Sequence, residues 1–490
     1  MKRNEFLKTL GFGSAVLGMS EVLLSGCMDM SGMDAIAPEI RLGDFTTPLP
    51  IPPTFGSGTA LNAHNLDASV LAGKVGGVMG YGNSILGPTI RVQQGSTLTF
   101  PFANGLSEDT NIHWHGLLIP SNMDGHPDQM VKPGKSFTYS FTIDQPAGMA
   151  WYHPHPHMNI GRQVFMGLAG MFIVESTEEK KLNLPAGEFE LPLVIQDKRV
   201  DSKGGLVYNP SMGEVMIGYM GDIITVNGAN APLQKVTARM YRLRVLNGSN
   251  ARIYNLALSN DNSFTIIGSD GGMLTSPETV KSLLLAPGER VDLLVDFSTM
   301  AQRDEVYLQS NVFTGADSQG KQSFRIMKFV VDKTGTERFQ MPGVFPNVPS
   351  IPMSTASRTR KFDIGVSMGG GGHKMGKMKG MHSINGKTYE SGRIDESVML
   401  NSTEIWEFDN SKGDEPHPMH IHGVSFQVLG RVGGRGGLSP HEKGWKDTVL
   451  VMPKEVVRVI MRFQHAGKFV FHCHNLEHED DGMMLNFEVK

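Results

Sequence analysis

The sequence predicts an all-β protein of about three domains, and three observations carry that prediction. Its 490 residues are too many for one core at roughly 150 residues per domain. Its 58 glycines and 27 prolines exceed the average combined share of about 12% and call for many turns. Stretches with strand-like alternation recur, as in Thr89 to Phe102, Ser136 to Ile143 and Val456 to Phe463, whereas long helical periods are scarce. A content of 40% hydrophobic and 19% charged residues excludes a disordered chain and a coiled coil. The net charge of −4 leaves no basic surplus to neutralise phosphates, which excludes a nucleic-acid binder. Two cysteines, Cys27 and Cys473, make no disulfide framework, but 31 Met and 17 His are a large stock of soft and borderline metal ligands.

The chain opens on an address. Lys2, Arg3 and Lys8 precede an apolar stretch from about Leu10 to Leu24, interrupted by Glu21 and shorter than the roughly 20 residues of a spanning helix. Residues 1–26 read as an export signal. Leu24-Ser25-Gly26-Cys27 resembles a bacterial lipobox, whose cysteine is lipidated and becomes the mature N-terminus. Arg3-Asn4-Glu5-Phe6-Leu7-Lys8 resembles a twin-arginine signal with Asn4 in place of the second arginine. The expected location is the periplasm or cell envelope, with Cys27 carrying a lipid anchor. Residues 27–55, with Pro38, Pro48, Pro50, Pro52 and Pro53 and no amphipathic period, form a Pro-rich tether or an arm on the surface.

The body divides into residues 56–176, 177–345 and 346–490, the last boundary marked by Pro342, Pro346, Pro349 and Pro352. Its two ends repeat each other. Ile112-His113-Trp114-His115-Gly116 matches Met419-His420-Ile421-His422-Gly423. Ala147-Gly148, followed by His153-Pro154-His155, matches Ala466-Gly467, followed by His472-Cys473-His474. A weaker third copy begins at Asp222 to Gly228, with Arg239 to Asn247 as a buried strand. No histidine occurs from Met158 to Gly372, so the middle domain is not a metal domain.

Residues i and i+2 of a strand project to one side, so each His-X-His pair aims two imidazoles at one cavity. Four pairs supply eight imidazoles: His113/His115, His153/His155, His420/His422 and His472/His474. That is too many for one metal and suits a cluster of about three ions with open positions for a small ligand. Cys473, between His472 and His474, points its sulfur the other way. With His417, His478 and Met483 it completes the ligand set of a blue-copper electron-transfer site. The first half lacks these extras, having Pro154, Asn159 and Val164 in the same registers.

Together these motifs resemble the multicopper oxidases over nearly the whole mature chain. The run from His472 to Met484 looks most like the bacterial copper-efflux (cuprous) and laccase-like members. The resemblance implies three cupredoxin-like Greek-key β-sandwich domains and four copper ions. A type 1 copper would take His417, Cys473, His478 and Met483; a type 2 copper, His113 and His420. The type 3 pair would take His115, His153, His155, His422, His472 and His474. Four one-electron oxidations would then reduce dioxygen to two waters. That reduction consumes four protons, and Asp124 and Glu479 match the family's acidic residues that deliver them. Asp480 is equally readable as a structural carboxylate. The expected assembly is a monomer.

The reductant is read from residues 368–382, where Met368, His373, Met375, Met378, Met381 and His382 lie among glycines and Lys374, Lys377 and Lys379. Thioethers prefer Cu(I), and Met375, Met378 and Met381 recur on one side of a helical turn. The lysines oppose a cation, and Asp414-Glu415-Pro416 before His417 offers carboxylates without the family's thioether. Cu(I) is the expected reductant, with phenols and aromatic amines, as in a laccase, the alternative. A copper-binding scaffold without oxidase chemistry is a third reading. Met212, Met216 and Met220 read as core packing at helical spacing. His64, His126, His157, His441 and His465 read as surface or structural residues outside the cluster.

Overall fold

The structure, a computed structural model, describes residues 36–335, 338–366 and 380–490. The described residues form six sheets in three successive pairs, each pair closed over its own apolar core. The first domain packs two four-stranded sheets around Phe100, Trp114, Phe141 and Phe172. Its strand Thr97–Asn104 alternates strictly between exposed and buried, as expected where one face meets a core. The stretch from Thr89 to Phe102, read as one strand, is two: Thr89–Gln93 and Thr97–Asn104 belong to opposite sheets. The break falls at Gly95, whose φ of +84° turns the chain where a side chain would be strained. The other two stretches appear as Ser136–Thr142 and Glu455–Arg462.

The middle domain has a seven-stranded and a five-stranded sheet; the last has two five-stranded sheets around Phe362, Trp406, Phe471 and Phe487. The proline-rich stretch, over its described part, is an arm laid on the middle domain. Ala37 N–H donates to the Ser318 carbonyl, Arg41 pairs with Asp222, and Leu49 enters the middle core. Among the described residues no helix is long and apolar enough to cross a membrane.

Strand register positions the site. In the last domain His417–Ile421 lies antiparallel to Gly467–Cys473, with Met419 opposite Cys473 and His420 opposite His472. Alternation then sends Met419 and Cys473 into the domain core and the two histidines to the other face. In the first domain His113 and His153 exchange backbone hydrogen bonds of 2.8 and 3.1 Å, which brings two His-X-His segments side by side.

Candidate metal centres

The eight histidines of the four pairs meet between the first and last domains, each at most 1% exposed. Three groupings emerge. His113 and His420 face each other with Nε2 atoms 3.4 Å apart, and each Nδ1–H donates to a backbone carbonyl, of Asp124 and Asp447 respectively, at 2.8 Å. His155, His422 and His472 converge on one another, with Nε2 separations of 3.4 Å for His155 to His472 and 3.1 Å for His422 to His472. His115, His153 and His474 form the third group, with ring centroids 4.9 to 5.7 Å apart. In that group His115 Nδ1, His153 Nε2 and both nitrogens of His474 are buried without a partner.

An orphaned buried polar atom costs about 1–3 kcal/mol, so several converging in one group mark a place for an ion. Burial first, and neighbouring imidazoles second, push most of these rings well below the ordinary histidine range, His153 to about 3. Neutral imidazoles with free lone pairs are the donor set copper takes, and the residues fit it.

A second site lies on the other face of the same strand. Cys473 Sγ is 3.5 Å from His417 Nδ1 and 3.7 Å from His478 Nδ1, and the two nitrogens are 3.2 Å apart. The His478 Nε2–H donates to the Met216 carbonyl at 2.9 Å, which leaves Nδ1 as the free donor. Burial pushes the Cys473 thiol up, so its thiolate form needs a nearby cation. Met483 is fully buried beside it, and its carbonyl accepts the Cys473 N–H at 3.0 Å. The short helix Leu476–Asp481 and the turn at Gly482 (φ +121°) bring His478 and Met483 back to the cysteine.

Both expected relay carboxylates touch the cluster. Asp124 Oδ2 accepts from His422 Nδ1 at 2.6 Å, and its Oδ1, 3.6 Å from His113 Nδ1, has no partner. Gly125 makes this approach possible: its φ is +82°, and a Cβ there would lie 2.0 Å from the Ile112 carbonyl. Glu479 lies 3.0 Å from His155 Nε2 and 3.1 Å from His472 Nδ1, with neither contact in hydrogen-bond geometry. Burial raises both carboxyls above their ordinary range. Asp480 instead accepts the N–H groups of Ile160 and Gly161 at 3.1 and 2.8 Å, tying down the helix Ile160–Phe165.

Met368, His373, Met375 and Met378 lie outside the described residues. Met381 and His382 are held at the cysteine site: the Asp481 carboxylate accepts the N–H groups of Gly380, Met381 and His382, and His382 Nδ1, all at 2.9 Å. His382 is fully buried and stacks on His478, with centroids 4.0 Å apart and an angle of 18°. The spacing of Met212, Met216 and Met220 is not one helical face. The helix Met212–Ile217 ends before Met220, Met212 is 44% exposed, and Met216 lines a cavity of about 590 Å3 beside His417. Among the described residues Asp363, Asp409, Asp414 and Glu415 line the same cavity, with Lys412 the one cation. Burial pushes Glu415 up to about 7. His157 packs on Tyr389 outside the cluster, while His126 and His441 are buried against Asn486 and Glu289.

Three residues that matter had no signal in the sequence. Asp447 lies against His115 and His420, Arg290 of the middle domain grips Asp447, and Glu477 accepts from Tyr208, Tyr219 and Asn250 behind the copper-site helix.

Family models of the multicopper oxidases match residues 62–179, 175–326 and 367–490. The chain is 37% identical over 420 residues to multicopper oxidase mco of Staphylococcus haemolyticus, covering 84% of this chain and 83% of that protein. It is 31% identical to the laccase of Bacillus subtilis, covering 84% and 90%. It is also 31% identical to cell division protein FtsP of Yersinia pestis, covering 89% and 90%. The solved McoA multicopper oxidase of Aquifex aeolicus superposes with a TM-score of 0.82 at 36% identity, over 91% of this chain and 99% of that one. With its histidine groups and its cysteine site in these positions, the chain belongs to the multicopper oxidases, a family of copper-dependent oxidoreductases.

Proposed function

We propose that this protein is an exported cuprous oxidase that couples four one-electron oxidations of Cu(I) to the reduction of dioxygen to two waters. It would hold four resident copper ions. His417, Cys473, His478 and Met483 hold one, His113 and His420 a second, and the groups His115/His153/His474 and His155/His422/His472 a pair. Bound copper supplies one-electron transfer at the cysteine site and dioxygen reduction at the cluster. The chain supplies the wiring, because Cys473 is covalently joined to His472 and His474. It also supplies the protons: the buried carboxyls of Asp124 and Glu479 hold a proton beside the cluster at higher pH than an exposed acid would.

The observation that carries the choice of reductant is the surroundings of the cysteine site. Among the described residues the cavity at His417 is lined by Asp363, Asp409, Asp414 and the raised Glu415 carboxyl against Lys412, and it includes Met216, which suits a soft cation. The other histidine is closed: His382 covers the face of His478, and the Met216 carbonyl occupies its Nε2. A phenol would have to meet a ligand edge through that same acidic cavity at His417 and not at His478. The laccase reading is favoured by the relative of that name. The scaffold reading, which the FtsP relative raises, is opposed by the complete set of ten histidines, Cys473 and Met483. The chain would reach the cell envelope through residues 1–26 and stay there through a lipid on Cys27.

Dioxygen uptake by the copper-loaded protein, with a stabilised Cu(I) complex as sole reductant, tests the reading. Fast uptake with Cu(I) and slow uptake with phenols is the expected result. Negligible uptake with Cu(I) and ready phenol turnover would make the protein a laccase. No uptake with either, at full copper loading, would make it a scaffold.

A further inference from the structure

The histidine-free middle domain reaches toward the cluster through Arg290 and Asp270, which both bind Asp447. Arg290, on the strand Arg290–Asp296, is fully buried, and its donors are all engaged. Nε and Nη2 donate to the Met149 carbonyl, and Nη1 to the Gly288 carbonyl. Nη1 and Nη2 grip Asp447 as a bidentate pair at 2.7 and 2.5 Å. The same Asp447 Oδ1 lies 3.0 Å from His115 Nε2, and the Thr448 hydroxyl donates to it at 2.9 Å. Asp270, also of the middle domain, accepts the N–H groups of Asp447 and Thr448 at 3.3 Å. The Asp447 carbonyl meanwhile holds His420 Nδ1, and His115 and His420 stack at 3.7 Å and 11°.

We propose that Arg290 is a positioning residue for the histidine cluster. Acting through Asp447, it keeps the proton of His115 on Nε2 and so presents Nδ1 as the ligand atom. A carboxylate clamped by a guanidinium can only accept hydrogen bonds, so the ring nitrogen facing it must carry the hydrogen. Nδ1 is then the bare nitrogen, and it is the one left buried without a partner. His113 and His420 are set the opposite way, with backbone carbonyls holding the hydrogen on Nδ1 and Nε2 facing inward. Two neighbouring histidines of one His-X-His pair thus offer different nitrogens. A domain with no ligand of its own fixes which one His115 uses. This inference rests on the reading that the eight histidines hold metal.

Asp447→Asn tests it. The amide can offer its oxygen to His115 only by turning its NH2 group against the Arg290 donors, so one side is mispaired. The expected result is copper retention at the His115 group reduced about 10- to 100-fold against a chelator, the scale of losing a ligand's outer partner. The near-ultraviolet absorption of the paired coppers should fall with it. The blue absorption of the cysteine site should stay near wild type, and the copper-free protein should stay folded with a lowered melting temperature, because the buried guanidinium loses its charge partner. Arg290→Lys, which keeps the charge but not the paired donors, should be milder. Variants with wild-type copper retention and near-ultraviolet absorption would overturn the proposal. So would loss of both copper sites together with unfolding of the copper-free protein, which is what a purely structural role predicts.

A second measurement needs no variant at the clamp. Nitrogen-15 spectra of histidine-labelled, copper-free wild type, with His115 assigned through His115→Gln, should show its hydrogen on Nε2; a hydrogen on Nδ1 overturns the proposal. A wild type that takes up copper only at the cysteine site would instead sink the cluster reading itself.

Discussion

The strand Gly148–Tyr152 runs into His153-Pro154-His155 and then the helix Ile160–Phe165; the strand Gly467–Cys473 runs into His474 and the helix Leu476–Asp481. The two helices touch through Ile160, Val164 and Leu476, and Asp480 of one caps the start of the other. The strands match in register, but the helix begins six residues after Pro154 and only three after Cys473, and only the second copy builds a cysteine site. The side chains that differ in matching registers are Thr110 for His417, Pro154 for Cys473, Asn159 for His478, Ile160 for Glu479 and Val164 for Met483. Val164, like Met483, is fully buried, but it packs with Ile160 and Leu476 between the two helices and not in a domain core. A redox domain and a supporting domain therefore differ by a few ligand side chains and by where one short helix starts and ends.

The largest expected effect removes that difference. Cys473→Ser should lower dioxygen uptake by on the order of 10³ or more, while copper analysis still finds the cluster loaded. Retained uptake would mean that the cluster accepts electrons without the cysteine site. Glu479→Gln gives the second copy a group that cannot release a proton. Uptake should fall about 100-fold with the blue absorption unchanged, and an undiminished rate would place the proton source elsewhere.

His382→Ala opens the face of His478, and phenol oxidation should rise roughly tenfold in steady-state assays. No change would show that His382 is not what excludes organic reductants. A smaller effect is expected at Glu415, which burial holds protonated up to about pH 7. The cation-attracting carboxylate forms only above that pH, so kcat/KM for Cu(I) should climb as pH rises through 7, and Glu415→Gln should flatten the climb. Val164→Met is expected to leave activity alone and to lower stability by about 1–3 kcal/mol, measured by denaturant unfolding, because it crowds the packed contact between the two helices.

The histidine pairs were legible because strand alternation is a local rule, and a spacing of two residues says which side chains share a face. Cys473 was legible for the same reason, lying between two histidines and so facing away. Asp447 and Arg290 were not, because their role is a contact between domains 157 positions apart in the chain and no spacing encodes it. His382 was assigned to a glycine-rich loop by composition, whereas Asp481, three residues past His478, pins it to the copper-site helix. Met220 and Met216 pack with Ile217 in a small core, as read, but Met212 is exposed: the helical period was read across Gly218, where φ is +93° and the helix has already ended.

The arm on the middle domain bears on the membrane anchor proposed above. Ala37 at its start packs with Met216, Ile217 and Met220, and donates to the carbonyl of Ser318, whose hydroxyl donates to Glu415. The chain therefore departs toward its N-terminus from beside the acidic cavity. Nine peptide links separate Ile36 from Cys27, a reach of at most about 30 Å. With the lipid proposed at Cys27, that short leash would keep the cavity mouth close to the bilayer, where cuprous ions leaving the membrane would be met before they diffuse away.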